Sequence, residues 1–451
     1  IQALDDLALP YYEEAKCPDL GFMPDLARNG VAKPETLKRL LAQLALMGYQ
    51  SVQLYLEDVL EVPGYPYMGY LRGRYTAEDL KALDDFAYDL GIELFASVQT
   101  LAHLDRFLRW SHMHDIRDID GILLVKEPKT YEYLDAMLTQ VSGIFRSRRV
   151  NLGMDEAHML GLGRYLINNG YEDPTQLMLD HVLRVYDLAK AHDMEPMIWS
   201  DMFFRLATGG QYDSENISEE HFAEVRKVLP EDLQLIYWNY YSSKEKVYDE
   251  MLEAHLLMTP NIGFAGGAWK WTGYNPANAY SFFVADLAFS ACQKHNIPYI
   301  VVTAWGDNGA EASFFSILPA LQYWAELNYG HIKPDDAWLE QRFYTCTNAS
   351  WKHFLALDEP VFTPGNPSPG KIGVNPPKLL LYQDILAGLV DYHFDGDAMA
   401  EHFSLMTREL DDLIQNDIPE DSWYRPILEA NLALCRALAI KTRAGQDLRK
   451  A

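Results

Sequence analysis

The run Val150-Asn151-Leu152-Gly153-Met154-Asp155-Glu156-Ala157-His158 is apolar and strand-like, ends in two adjacent carboxylates, and then reads as a glycine-spaced helix start. Paired carboxylates are the machinery of glycoside cleavage, one lending a proton while the other carries negative charge. At the C-terminal end of a strand in a parallel α/β barrel, such side chains point into the mouth where these folds keep their chemistry. The dipeptide Asp-Glu occurs twice more, at Asp249-Glu250 and Asp358-Glu359, which read as solvated helix or turn positions, so of the three only Asp155-Glu156 terminates a strand. Arg28 closes the stretch Pro24-Asp25-Leu26-Ala27-Arg28, where its fixed fork of donors suits vicinal hydroxyls; the plainer reading is a surface arginine. Trp199, Trp238, Trp269, Trp271 and Trp305 fall at or just beyond successive strand ends. Indoles there can wall a pocket fitted to one pyranose, whereas the same residues inside the barrel would be core. Their neighbours favour the pocket: Trp305-Gly306-Asp307-Asn308-Gly309-Ala310-Glu311 joins a turn to hydrogen-bonding side chains, and Trp238-Asn239-Tyr240-Tyr241 joins an indole to two phenols.

The elements that must position these residues are short apolar runs alternating with amphipathic helical patterns, the signature of repeated βα units. Eight strands are expected, at Gly21 to Asp25, Ser51 to Leu56, Glu93 to Val98, Val150 to Met154, Pro196 to Trp199, Leu233 to Trp238, Ile262 to Ala268 and Tyr299 to Trp305. Helices are expected between them: Pro34 to Met47 closing on Gly48, Asp79 to Leu90 ending at Gly91, Thr175 to Ala191 after Asp173-Pro174, and Ser316 to Asn328 near Gly330. A further run, Gly121 to Val125, reads as an extra strand or loop on the third connection; as a barrel strand it would shift the count by one. The fold class is therefore α/β, a (β/α)8 TIM barrel over residues 1–333, followed by an α-helical C-terminal region over 334–451. That region is broken by the stretch Thr363 to Gly370, carries no catalytic pattern, and is expected to pad the barrel flank or make a contact in a homo-oligomer.

Composition narrows the classes further. A chain of 451 residues, 49% of them hydrophobic, can bury one large core and a smaller second unit. With 65 acidic against 38 basic residues, the net charge of −27 repels phosphate backbones and anionic membranes, so neither nucleic acid nor membrane is an expected partner. No stretch approaches the roughly 20 apolar residues of a membrane span, and Ile1 to Leu9 lacks the basic segment and apolar run expected of a signal peptide. Cys17, Cys292, Cys346 and Cys435 show no paired spacing and read as buried thiols in a reducing compartment. Aromatic content of 13% fits sugar stacking but more often means core.

Across residues 20–331 the sequence resembles the family 20 glycoside hydrolases, the exo-β-N-acetylhexosaminidases, and particularly their cytoplasmic bacterial branch. The stretches that carry the resemblance are Asp25-Leu26-Ala27-Arg28-Asn29, Pro66-Tyr67-Met68-Gly69-Tyr70 with Arg72-Gly73, and Gln99-Thr100-Leu101-Ala102-His103-Leu104. With them go Met154-Asp155-Glu156-Ala157-His158, Trp199-Ser200-Asp201-Met202-Phe203-Phe204, Gly266-Gly267-Ala268-Trp269-Lys270-Trp271 and Thr303-Ala304-Trp305-Gly306-Asp307-Asn308-Gly309. The resemblance implies a small α+β domain ahead of the barrel; with some twenty residues before the first strand, that domain is expected to be absent or trimmed. It also implies removal of a terminal N-acetylhexosamine with retention, the nucleophile being the substrate's own 2-acetamido oxygen. By this resemblance Glu156 is the general acid and base, and Asp155 orients the acetamido N–H. Tyr240 holds the acetamido oxygen, although the family pattern has Asp where this chain has Asn239, and Tyr241 stays open. Arg28 binds the outer hydroxyls with Asp307 and Glu311 as further candidates, the tryptophans line the pocket, and His103 sits beside the carboxylates unless it is a core histidine. No cofactor or metal is implied, and the expected partner is a glycan ending in N-acetylglucosamine or N-acetylgalactosamine.

Two rival readings differ in class. One is a metal-dependent hydrolase using His112 and His114 with Asp155 or His158, disfavoured because that His-x-His lies in a helical stretch. The other is a barrel that binds sugar without cleaving it, against which the intact carboxylate pair argues.

Overall fold

The computed structural model describes residues 13–307, 309–330, 334–366, 370–371 and 373–451. Ile1 to Leu9, Asn308, Lys333 and the Pro367-Ser368-Pro369 part of the Pro/Gly stretch therefore lie outside the described residues.

Eight parallel strands close into a barrel in sequence order. They are β1 (Asp19–Pro24), β2 (Ser51–Tyr55), β3 (Glu93–Ser97), β4 (Arg149–Asn151), β5 (Glu195–Trp199), β6 (Gln234–Trp238), β7 (Ile262–Gly267) and β8 (Tyr299–Ala304). Register runs evenly around the wall, Val52 opposite Leu94, Ala96 opposite Val150, Val150 opposite Pro196 and Leu235 opposite Ile262. Strands covered on both faces become near-continuous apolar runs, and β2, β7 and β8 are buried along their whole length. Gly21 to Asp25, Leu56, Val98, Leu233, Ala268 and Trp305 shift the expected ends by only a residue or two, the usual fraying of a strand boundary. Gly121 to Val125 adds no barrel strand; Leu123 makes a single antiparallel bridge to Arg117 within the β3 connection.

Helices pack the outer face as their caps dictate. Helix Pro34–Met47 buries Leu37, Leu40, Leu41 and Leu44 and stops where Gly48 turns left-handed at φ 93°. Thr76 and Asp79 exchange hydrogen bonds in a capping box ahead of helix Ala77–Asp89, and Asp173 accepts from two amides of helix Pro174–Ala191. The expected helix Ser316 to Asn328 is split into a 3₁₀ turn, Phe314–Ile317, and helix Leu318–Tyr329, because Pro319 cannot donate an amide to the preceding turn.

β4 departs from expectation in the way that matters most here. It ends at Asn151 rather than Met154, because Gly153 and Met154 both take positive φ, 73° each. The expected helix start after Glu156 is instead a series of turns, and a helix begins only at Arg164.

The chain forms two compact units. One holds residues 16–266 and 287–303, which include the barrel wall but for the last residue of β7 and of β8; the other holds 267–286 and 304–451 with the described residues ahead of Lys16. In the second, helices Asp336–Thr347, Trp351–Leu355, Pro376–Tyr382, Gly396–Asn416 and Arg425–Lys450 make up the C-terminal region. Asp358, expected to be solvated, is buried there: its carboxylate accepts the amide of Ala279 at 2.8 Å and the side chain of Asn278 at 2.9 Å. The first turn of helix Asn278–Lys294 needs an acceptor for its orphan amides, and Asp358 supplies it. All four cysteines are free and buried, and among the described residues no helix is long and apolar enough to cross a membrane.

Candidate active site

Carboxylates follow four of the barrel strands in the larger unit, with Asp25 after β1, Glu57 after β2, Asp155 and Glu156 after β4, and Asp201 after β5. Gln99, just beyond β3, ties the group together: its amide donates to Asp155 Oδ1 at 2.8 Å and to the Tyr55 hydroxyl at 3.1 Å, while its oxygen accepts the Met154 amide at 3.2 Å. That last bond holds the left-handed turn in place. His103, itself at φ 57°, brings Nε2 to 3.2 Å from Asp155 Oδ2 and 3.8 Å from Glu156 Oε2. Backbone strain collects here, with Glu57 at φ 40° and Glu156 at φ 52°, as it does where surrounding contacts over-determine a site.

The two neighbouring acids experience different surroundings. Asp155's side chain is 10% exposed and Glu156's 39%. Burial pushes Asp155 upward, but the His103 cation, the Gln99 amide and Arg28 outweigh it, and the carboxyl rests below its usual range. Reciprocally, burial works against the His103 cation, yet Asp155 and Glu57 lift it to about 9. On the other side, Asp201 Oδ2 accepts the Glu156 amide at 3.2 Å and Arg205 Nε at 2.9 Å, and Arg205 reaches Glu156 Oε1 at 3.5 Å. Burial and then the charge of Asp155 push Asp201 upward, against the pull of Arg205.

Arg28 is 21% exposed, paired with Asp25 at 3.1 Å and with Glu57 at 3.6 Å, and lies over the Tyr55 ring at 5.2 Å. Tyr55 donates to Glu57 at 2.9 Å. Glu57 is raised to about 7, by burial first, with Arg28 opposing and Asp25 adding to the rise. Trp238 and Tyr240 stack face to face at 5.6 Å and 14°, and Arg205 lies 5.7 Å from the Trp238 ring. Tyr240 is buried and Tyr241 is 55% exposed, which separates the two phenols left open in the sequence. Trp199 is 1% exposed.

Trp269, Trp271, Trp305, Asp307 and Glu311, also named from sequence, belong to the smaller unit. Trp269 and Trp271 stack at 4.3 Å, with Tyr280 edge-on to Trp269 at 4.8 Å, and Trp305 is 7% exposed. Glu311 is paired at 2.8 Å with Lys378 of helix Pro376–Tyr382, while Asp307 is exposed. His112 and His114 sit in a 3₁₀ turn, Ser111–Ile116, and among the described residues no group of three or more His, Cys, Asp or Glu side chains is placed to hold a metal ion.

Sequence reasoning passed over Asp25, Tyr55, Glu57, Gln99, Asp201 and Arg205 as functional residues. A usable signal existed, because Glu57, Gln99 and Asp201 come one or two residues after an expected strand end, the position from which barrel side chains reach the mouth.

Comparison with known proteins supplies the family. A model described as "Glycosyl hydrolase family 20, catalytic domain" matches residues 20–261, and one described as "Glycoside Hydrolase 20C C-terminal domain" matches 352–451. Hexosaminidase D of Bos taurus is 21% identical over 239 residues, covering 50% of this chain and 62% of that protein. Among solved structures, a family 20 exo-β-N-acetylglucosaminidase from Vibrio harveyi superposes with a TM-score of 0.56 at 15% identity, covering 76% of this chain and 58% of that one. A chitobiase from Flavobacterium johnsoniae gives a TM-score of 0.56 at 16% identity, with 96% and 72% covered. The chain thus spans less than two thirds of the bovine and Vibrio proteins, and at such identities the structural likeness speaks for the fold.

Proposed function

Because the chain belongs to glycosyl hydrolase family 20, whose catalytic-domain model spans more than half of its length, we propose that it is an exo-acting β-N-acetylhexosaminidase working through its substrate's own acetamido group. The observation that carries this reading is the unlike treatment of two adjacent acids, one buried and held ionised, the other left open to solvent.

In the first step Glu156 gives its proton to the glycosidic oxygen as the bond from C1 breaks, while the 2-acetamido oxygen forms a new bond to C1. The oxazolinium ion so formed bears positive charge beside its N–H. Asp155, kept as an anion by His103 and Gln99, accepts that N–H and offsets the charge. Tyr240, stacked on Trp238, donates to the acetamido oxygen and aims it at C1. In the second step Glu156, now a carboxylate, takes a proton from water as the water attacks C1, which opens the ring and leaves the β-configuration retained. Arg28 grips the outer hydroxyls of the sugar, with Asp25 and Glu57 fixing its guanidinium. To Trp199 we assign a contact with the same sugar by family resemblance. Buried free cysteines support a cytoplasmic setting.

Glu156→Gln decides the acid assignment. Turnover of N,N′-diacetylchitobiose is expected to fall about 10²–10⁴-fold with affinity for the disaccharide nearly unchanged, and undiminished turnover overturns the role. Replacing the substrate's acetamide by hydroxyl is expected to abolish useful hydrolysis; brisk cleavage of that analogue points to an enzymic nucleophile instead. Saccharide binding without turnover by the unsubstituted protein makes it a sugar-binding barrel.

A further inference from the structure

Two loops of the larger unit carry a group of aromatic side chains that the chemistry above leaves unused. Tyr67 and Trp110 stack at 5.4 Å and 30°, and Tyr70 stands edge-on to both, at 5.7 Å and 5.4 Å. His112 lies 5.8 Å from the Tyr67 ring, and the Arg109 guanidinium sits 4.7 Å over Trp110. Tyr70 is 45% exposed, and Tyr67 and Trp110 are half-buried.

Their loops are anchored where the candidate active site is. Tyr67 and Tyr70 follow β2 and Glu57, and Trp110 follows β3 and His103. Arg72, next to these tyrosines, donates to the carbonyl of Ala27 beside Arg28 and pairs at 3.2 Å with Asp58 beside Glu57. Between the two rings Met68 is fully buried against Tyr133, and Arg74 donates to its carbonyl at 2.6 Å. Gly69 takes φ 64°, and a Cβ there would meet the Asp58 carbonyl at 2.6 Å. Beyond Trp110 the carbonyl of His114 accepts Arg164, and Asp118 accepts the amides of Gly161 and Tyr165, which binds this connection to the one that leaves Glu156. The platform is thus rigid, and the loops that hold it are those of Arg28, His103 and Glu156.

A pyranose ring presents a face of axial C–H bonds that packs on an aromatic plane, and equatorial hydroxyls that Arg109, His112 and the two phenols can serve. A net charge of −27 favours a neutral ligand over an anionic one. Three fully exposed aromatic side chains offer roughly 450–750 Å². These are half-buried and fall short of the ~800 Å² that a stable protein interface takes from each partner. We propose that Tyr67, Tyr70 and Trp110 form a second carbohydrate subsite, which takes the sugar ring on the leaving-group side of the bond cleaved. Assignment to the leaving-group side rests on the exo-hydrolase reading.

The test compares kcat/KM for N,N′-diacetylchitobiose with kcat/KM for N-acetylglucosaminyl fluoride, whose single-atom leaving group cannot reach the platform. In Trp110→Ala and in Tyr70→Ala the disaccharide-to-fluoride ratio is expected to fall about five- to tenfold, and Trp110→Phe restores most of it. Tyr70, being well exposed, keeps the test open if the Trp110 variant fails to fold. An unchanged ratio overturns the subsite. If the unsubstituted protein cleaves neither substrate, the hydrolase reading fails and calorimetric titration with the disaccharide decides the platform. Weakening by the same factor supports it, and equal affinity overturns it.

Discussion

Burial alone would strip the proton from His103, yet the adjacent Asp155 anion reverses that and holds the imidazole charged up to about pH 9. The groups facing it are Asp155, Glu57 and Glu156 on the acidic side and Arg28 on the basic side. Since the folded value lies above the ordinary 6.5, the pair stabilises the fold fully below about pH 6.5, and that contribution fades as pH rises through about 9. His103→Gln is therefore expected to cost most stability in mildly acidic solution and progressively less towards pH 9–10, as read from thermal midpoints of both proteins across that range. A pH-independent difference would mean a neutral imidazole. Arg28, Glu57 and Tyr55 work at the same scale, each useful only because the others fix it.

At the scale of elements, the segment between β4 and its first turns does what a regular strand could not. Four consecutive extended residues would send Asp155 and Glu156 to opposite faces of the sheet. Positive φ at Gly153, Met154 and Glu156 breaks that alternation, and the Gln99 side chain fills the space that Gly153 leaves. A Cβ on Gly153 would stand 2.2 Å from Gln99 Oε1 and 2.8 Å from the Val98 carbonyl, at a φ that L-residues avoid. Gly153→Ala is expected to destabilise the protein by roughly 1–3 kcal/mol and to displace the Gln99 amide from Asp155. Thermal unfolding together with kcat on N,N′-diacetylchitobiose checks both, and a fully active, equally stable variant would show that the turn tolerates a side chain.

At the scale of the molecule, the segments after β7 and β8 belong to the compact unit that holds the C-terminal helices. Asp358 caps helix Asn278–Lys294, Lys378 pairs with Glu311, and the Asn275 side chain donates to Asn431 at 2.9 Å. Removing everything after Lys333 would leave buried amides and the Glu311 carboxylate without those partners, each costing about 1–3 kcal/mol. We expect such a shortened chain to lose cooperative unfolding and to aggregate; a soluble, cooperatively folding product would show that the barrel stands without its helical region.

The sequence by itself determined the eight strands, most helix ends, the weight of Asp155-Glu156 and, through resemblance, the neighbourhood of His103, because each of these is written in residues adjacent along the chain. Periodicity, caps and turn glycines act over a few positions, so they survive translation into structure. Tertiary structure alone decided that Gln99 joins Tyr55 to Asp155, that Asp201 and Arg205 flank Glu156, that Tyr240 rather than Tyr241 is buried, and that Asp358 lies in the interior. Those outcomes depend on residues 44, 56 or 80 positions apart meeting when the chain folds. A charged side chain has the same near neighbours in sequence whether it ends in water or in the core, and only long-range packing distinguishes the two.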